Sequence, residues 1–149
     1  MHKVYLGLGS NLGDREANIR EAIRLIGERV GTVASQSALI ETEPWGFESK
    51  HPFLNGAILV ETTLAPREVL TATQEIEREL GKTGHHATRR RRSSPGTQES
   101  TLYKDRPIDI DILLYDDLHL KEPGLTIPHP LMYERPFVMQ PLREILETP

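Results

Sequence analysis

The chain is 149 residues long with a formal charge of −4, 37% hydrophobic residues, 27% charged residues and no cysteine. That length suits one domain with a single core, and the lack of cysteine excludes disulfide scaffolds and cysteine-ligated zinc or iron–sulfur sites. No apolar run approaches the roughly 18–20 residues that cross a bilayer, and no signal-peptide pattern opens the chain, so the expectation is a cytoplasmic protein, one domain over 1–149. The charge is unevenly spread: residues 82–106 carry about +5 and the remainder about −9. An acidic body with one basic stretch points to local handling of an anion rather than to a nucleic-acid-binding face.

In chain order, Val4 to Leu8 predicts a strand. Gly7, Gly9 and Gly13, with Ser10, Asn11 and Asp14 among them, predict a tight turn entering a capped helix. From Ile19 the apolar Ala22, Ile23, Ile26 and Val30 follow helical spacing until Gly31. Thr32 to Thr42 predicts a second strand and Phe53 to Thr62 a third, joined by a loop with Pro44, Gly46 and Pro52. A second helix starts near Pro66 and stops at Gly81, with Val69, Thr73, Ile76 and Leu80 as its core stripe. After a polar basic stretch, Ile108 to Tyr115 alternates aliphatic and acidic residues and predicts a strand. Beyond it come a hairpin about Asp116 and Asp117 and short helical pieces at Leu131 to Glu134 and Leu142 to Leu146. The order β, α, β, β, α, β is most economically packed as two helices on one face of a mainly antiparallel four-stranded sheet.

Two glycine motifs fail. A dinucleotide fingerprint over Gly7 and Gly9 needs its third glycine where Leu12 stands, so the cluster reads as a turn and a helix start. Gly81-Lys82-Thr83 ends a helix where a phosphate loop should begin one.

The strongest chemistry lies in Asp109-Ile110-Asp111. Period-two geometry places Ile108, Ile110, Ile112 and Leu114 on one face, and Asp109, Asp111 and Leu113 on the other, the two carboxylates about 7 Å apart at the backbone. Paired carboxylates with hard oxygens suit magnesium, which keeps waters and takes phosphate oxygens, although the spacing equally fits a solvated sheet face. Arg106 and the basic stretch just before the pair favour phosphoryl-transfer chemistry. On the second helix Leu70, Gln74 and Glu77 share an azimuth that fits either the wall of a nucleotide site or an ordinary boundary stripe. Thr42, Pro44, Trp45, Phe53 and Asn55, with Phe137, fit a flat heterocycle stacked on aromatics and hydrogen-bonded at its edge, or simply core. The run Arg89 to Arg92 reads most simply as a solvated loop, and His129, between two prolines, as a candidate anion contact.

Taken together these residues resemble the 6-hydroxymethyl-7,8-dihydropterin pyrophosphokinase family. The matching pieces are Gly7 through Asp14, Thr42 with Pro44 and Gly46, Phe53-Leu54-Asn55, Gln74 with Glu77, Arg106 with Asp109-Ile110-Asp111, and Thr126-Ile127-Pro128-His129 with Arg135 and Phe137. The resemblance implies a ferredoxin-like α+β fold with an extra carboxy-terminal hairpin and short helices. It also implies transfer of the β,γ-diphosphate of ATP to the hydroxymethyl group of the reduced pterin, giving AMP and the pterin diphosphate. By the same resemblance Asp109 and Asp111 hold two Mg2+ ions, with Lys82 and Arg106 assisting catalysis. Thr42, Pro44, Trp45, Phe53, Asn55 and Phe137 bind the pterin. Leu70, Gln74, Glu77, Arg106, Ile112, Thr126, His129 and Arg135 bind ATP. The catalytic loop is the basic stretch at about 82–106, and it closes over both substrates. The expected partners are the two small-molecule substrates, with no nucleic acid and no membrane, the protein acting as a monomer. The chain departs from the commoner family pattern in that loop, which is longer by about a dozen residues and reads Tyr103-Lys104-Asp105-Arg106 where Trp-Gly-Pro-Arg is usual. Lys82 replaces the usual arginine, keeping charge but losing the bidentate fork.

Overall fold

The computed structural model describes residues 1–42, 52–83 and 107–146, the side chains of 82 and 83 excepted. The expectations for Pro44, Trp45, the Lys82 side chain, Arg89 to Arg92 and Arg106 lie outside the described residues.

The central strand β1 (His2–Ser10) pairs antiparallel on one side with β4 (Phe53–Thr62) and on the other with the edge strand β5 (Asp109–Tyr115). The far edge of β4 is shared by β2 (Thr32–Gln36) and β3 (Ile40–Thr42), both antiparallel to it. Strand order β2-β4-β1-β5 with helices α1 (Arg15–Arg29) and α2 (Pro66–Thr83) as the two crossovers is the expected ferredoxin-like βαββαβ pattern. Both helices pack on one face, where Ile19, Ala22, Ile26, Val69 and Ile76 meet Leu6, Leu8, Ile58, Val60, Ile110 and Ile112. The opposite face buries a smaller cluster, Tyr5, Ala57, Leu59 and Leu113 beneath Met132 and Leu142, the last from helix α3 (Pro136–Ile145).

Local chemistry sets the ends of the helices. Asp14 caps α1 by accepting the Ala17 N–H at 3.1 Å. Pro66 opens α2, and Glu68 reaches back to the Ala65 N–H at 2.7 Å, the return half of a capping box. The core stripe Val69, Thr73, Ile76 and Leu80 is buried as its spacing predicts.

Four expectations are corrected. Thr32 to Thr42 is two strands: at the break the Ser37 hydroxyl accepts the Ala57 N–H and the Glu144 carboxylate accepts the Ala38 N–H, diverting backbone pairing. The hairpin lies not at Asp116 and Asp117 but between β6 (Leu120–Glu122) and β7 (Leu125–Ile127), where Gly124 supplies φ +79°. Asp116, at φ 50°, only turns the chain out of β5. In β5 a register shift against β1 between Tyr5 and Leu6 breaks the alternation, so Leu114 packs with the smaller cluster and Tyr115 with the larger. Finally, the carboxy-terminal helical pieces become a 3-10 turn, Met132–Glu134, and a longer α3 that starts at Pro136.

Candidate active site

Gly7 and Gly9 do not form a turn: both lie inside β1, and only Gly13 beyond the strand adopts positive φ. In the sheet Gly9 sits between Asp109 of β5 and Asn55 of β4, and Gly7 between Asp111 and Ala57. The central strand therefore presents a bare floor between a wall of carboxylates and a wall carrying Phe53 and Asn55. At Gly9 the lack of a side chain is required, because a Cβ there would sit 2.8 Å from Asn55 Oδ1 and 3.4 Å from a Phe53 ring carbon.

Above this floor opens a cleft, about 620 Å³ of empty space when the open solvent at its mouth is counted. It brings together Thr42, Phe53, Asn55, Asp109, Asp111, Arg135 and Phe137, from four parts of the chain. Asn55 is buried and its Nδ2 donates to Thr42 Oγ1 at 2.7 Å, which orients the carboxamide and leaves the threonine hydroxyl its own proton to donate. Arg135 stands at the position just before α3, is only 9% exposed, and its guanidinium carbon lies 5.8 Å from the centre of the Phe137 ring. A buried cation, an aromatic ring and two carboxylates in one cleft combine a place for a flat ring with a place for charge.

His129 stands nearby. Its backbone N–H donates to the Leu113 carbonyl, and its Nδ1 accepts the Leu131 N–H at 3.3 Å, so Nε2 is the ring's donor. Burial, then the charge of Arg135, holds the imidazole below its ordinary pKa against the opposing pull of Asp109. His129 is thus a neutral donor at pH 7 whose ring feels the charges of both Arg135 and Asp109.

The other residues expected at a nucleotide site lie outside this cleft, on elements that pack against β5. Glu77 Oε2 accepts the Ile110 N–H at 2.7 Å, tying α2 to β5 between the two aspartates. Leu70 packs against the larger core, which contains Ile112 on the opposite strand face from Asp111, while Gln74 is exposed and Thr126 half-buried in β7. The sequence reading missed Gly9 as a site residue, though glycines two apart in a strand are a signal for one bare face.

The donor set fits magnesium. Two carboxylates on alternate residues line one cleft, and no third His, Cys, Asp or Glu joins them among the described residues. That is the pattern of an ion completed by water and substrate phosphate rather than by an all-protein cage.

An antiparallel ferredoxin-like sheet with this cleft defines an α+β domain built to hold a small ligand. Residues 5–147 match the family model described as 7,8-dihydro-6-hydroxymethylpterin-pyrophosphokinase (HPPK), and the chain belongs to that family. It is 46% identical over 143 residues to the 2-amino-4-hydroxy-6-hydroxymethyldihydropteridine pyrophosphokinase of Porphyromonas gingivalis, covering 95% of this chain and 89% of that one. The Bacillus subtilis protein of the same name is 42% identical over 145 residues, covering 97% and 78%. A Pisum sativum folate synthesis bifunctional protein is 36% identical, and this chain spans 25% of its length. Among solved structures, Plasmodium falciparum HPPK-DHPS shares the fold with a TM-score of 0.68 at 16% identity, and this chain spans 98% of its own length and 40% of that one.

Proposed function

We propose that this chain transfers the β,γ-diphosphate of ATP to the hydroxymethyl group of 6-hydroxymethyl-7,8-dihydropterin, with the cleft on β1 as its active site. Family membership supports the reaction, and one observation supports its location: the carboxylate pair and the aromatic-amide set share a single cleft.

The pterin lies between Phe53 and Phe137, its edge read by the Asn55 carboxamide and the Thr42 hydroxyl, with Pro44 and Trp45 completing that side. Because the carboxamide is held by Thr42, recognition needs little reordering on binding. The hydroxymethyl oxygen bonds to the β-phosphorus as the bond from that phosphorus to the oxygen of AMP breaks, and the hydroxyl proton leaves to solvent. Asp109 and Asp111 would hold two magnesium ions, which when bound supply charge neutralisation to the triphosphate. Arg135 and the neutral His129 donate hydrogen bonds to phosphate oxygens, and Arg106 and Lys82 add positive charge there. The base of ATP extends past β5 toward Leu70, Gln74, Glu77, Ile112 and Thr126. Since the reaction moves a charged group between bound partners, alignment and electrostatics carry the rate more than a strong base does.

The chain works as a single pyrophosphokinase domain, its catalytic loop at about 82–106. We place it in the cytoplasm as a monomer that binds neither nucleic acid nor membrane. Among the described residues no helix is long and apolar enough to cross a bilayer. The test is incubation with ATP, magnesium and the hydroxymethyl dihydropterin. AMP as the nucleotide product, dependent on the pterin, is the expected result; ADP would overturn the reading.

A further inference from the structure

Arg15, the first residue of α1, makes two contacts with one nitrogen. Its Nη1 lies 2.8 Å from Glu41 Oε2 and donates to the Pro52 carbonyl at 3.0 Å. Each partner is the chain neighbour of a cleft residue, Glu41 of Thr42 and Pro52 of Phe53, and Thr42 and Phe53 themselves form the last pair of the β3–β4 ladder. Successive side chains of a strand point to opposite faces, so Thr42 can face the cleft while Glu41 turns to the side where α1 begins.

We propose that Arg15 is a positioning residue for the ring-binding half of the cleft, clasping the end of the β3–β4 pair from behind and so holding Thr42 and Phe53 in place. The inference rests on the pterin reading of that half. Three observations carry it. Strand β3 has only three ladder pairs, and the Arg15 clasp joins the Asn55–Thr42 bond as a second side-chain tie on its end. The clasp is anchored on a fixed point, since Asp14 caps α1 next to Arg15 and Asn18 Nδ2 donates to the Leu12 carbonyl at 2.9 Å, closing the turn that follows β1. The arginine therefore links the floor strand of the cleft to its aromatic wall. Its side chain is 31% exposed and that of Glu41 56%, so its removal should change position more than it changes global stability.

The experiment compares wild type with Arg15→Ala, Arg15→Lys and Glu41→Gln, reading steady-state AMP release and amide hydrogen exchange in the unliganded protein. In Arg15→Ala the KM for the pterin rises about fivefold to tenfold, as for loss of charge-assisted hydrogen bonds, while kcat and the KM for ATP stay within about twofold. Amides of Glu41, Thr42 and Phe53 exchange faster, and those of Val60 and Glu61 at the other end of β4 do not. Arg15→Lys, which keeps a cationic nitrogen on a shorter side chain, and Glu41→Gln, which keeps the Pro52 bond, fall between. Unchanged exchange overturns the clasp. Faster exchange with an unchanged pterin KM, or with an equal rise for ATP, overturns its role in positioning. Failure of the wild type to release AMP would fall on the proposed reaction instead, and the exchange measurement would still judge the clasp.

Discussion

Asp109 and Asp111 owe their placement to the glycines opposite them. With Gly9 and Gly7 as their β1 partners, β1 puts no side chain into the cleft that the aspartates line. Asp109→Ala and Asp111→Ala are each expected to lower turnover at least about a hundredfold, the scale at which removing a charge-stabilising group acts, with the melting temperature little changed. AMP release and a thermal melt on the same preparations decide it; near-normal turnover in either variant would remove the metal assignment. Gly9→Ala is a different probe, because its methyl group would fall on the Asn55 carboxamide. A roughly tenfold rise in the pterin KM is expected, with the KM for ATP unchanged, if displacing Asn55 costs one or two hydrogen bonds. Period-two spacing put Asp109 with Asp111 on one strand face and Phe53 with Asn55 on another, while leaving a solvated face and a core reading open for them. Gly9 was not legible as a site residue, because a Gly-x-Gly run before Ser and Asn carries the chemistry of a turn as well as that of a bare strand face. Nor was Arg15, whose partners are brought to it only by the folding of β3 against β4.

At the scale of the elements, β5 is an edge strand whose outer side is partly covered by α2, and Glu77 makes the tie by accepting the Ile110 N–H. A hydrogen bond to a charged, partly buried acceptor contributes about 1.5–3 kcal/mol. Glu77→Ala should therefore lower unfolding free energy by an amount of that order in urea titration, and Glu77→Gln, which keeps a carbonyl acceptor, should recover much of it. Equal losses in the two variants would show that charge, not the bond to β5, matters. Periodicity revealed α1 and α2 because each buries one regular face, whereas β4, buried on both faces, stood out as an apolar and β-branched run; β4 runs from Phe53 to Thr62 and α2 starts at Pro66 as read. It failed where a local event resets the period. The irregular register in β5 moves Leu114 to the other face, and side-chain hydrogen bonds from Ser37 and Glu144 divide β2 from β3. Such events depend on partners distant in sequence, which a window along the chain does not contain.

Among the described residues the sheet is covered unequally on its two faces, and this inequality shapes the cleft. Two helices close one face, while α3 packs on the part of the other that carries Tyr5, Leu59 and Leu113, and Gly7, Gly9 and the aspartates line the cleft beside it. At the opposite end of β1 the sheet is fastened by Asp116, which accepts the Lys3 N–H at 2.7 Å and meets His2 Nδ1 at 2.7 Å. Burial pushes this carboxyl up, but the Lys3 N–H and the His2 ring outweigh it, and the net pKa lies below the ordinary aspartate value. A carboxyl depressed in the folded state contributes stability above its unfolded pKa, and that contribution disappears as pH falls through the lower, folded value. The side chain is 40% exposed, so solvent screening keeps the effect small. Asp116→Asn is the fitting variant, since asparagine also tolerates the positive φ of this position. It should be slightly less stable than wild type at pH 7 and converge on it as pH falls through the lowered folded-state value, where the wild-type carboxyl is also protonated. Urea midpoints measured from pH 7 down to pH 2.5 would show that convergence; a constant gap across the range would mean that the asparagine disturbs packing rather than charge.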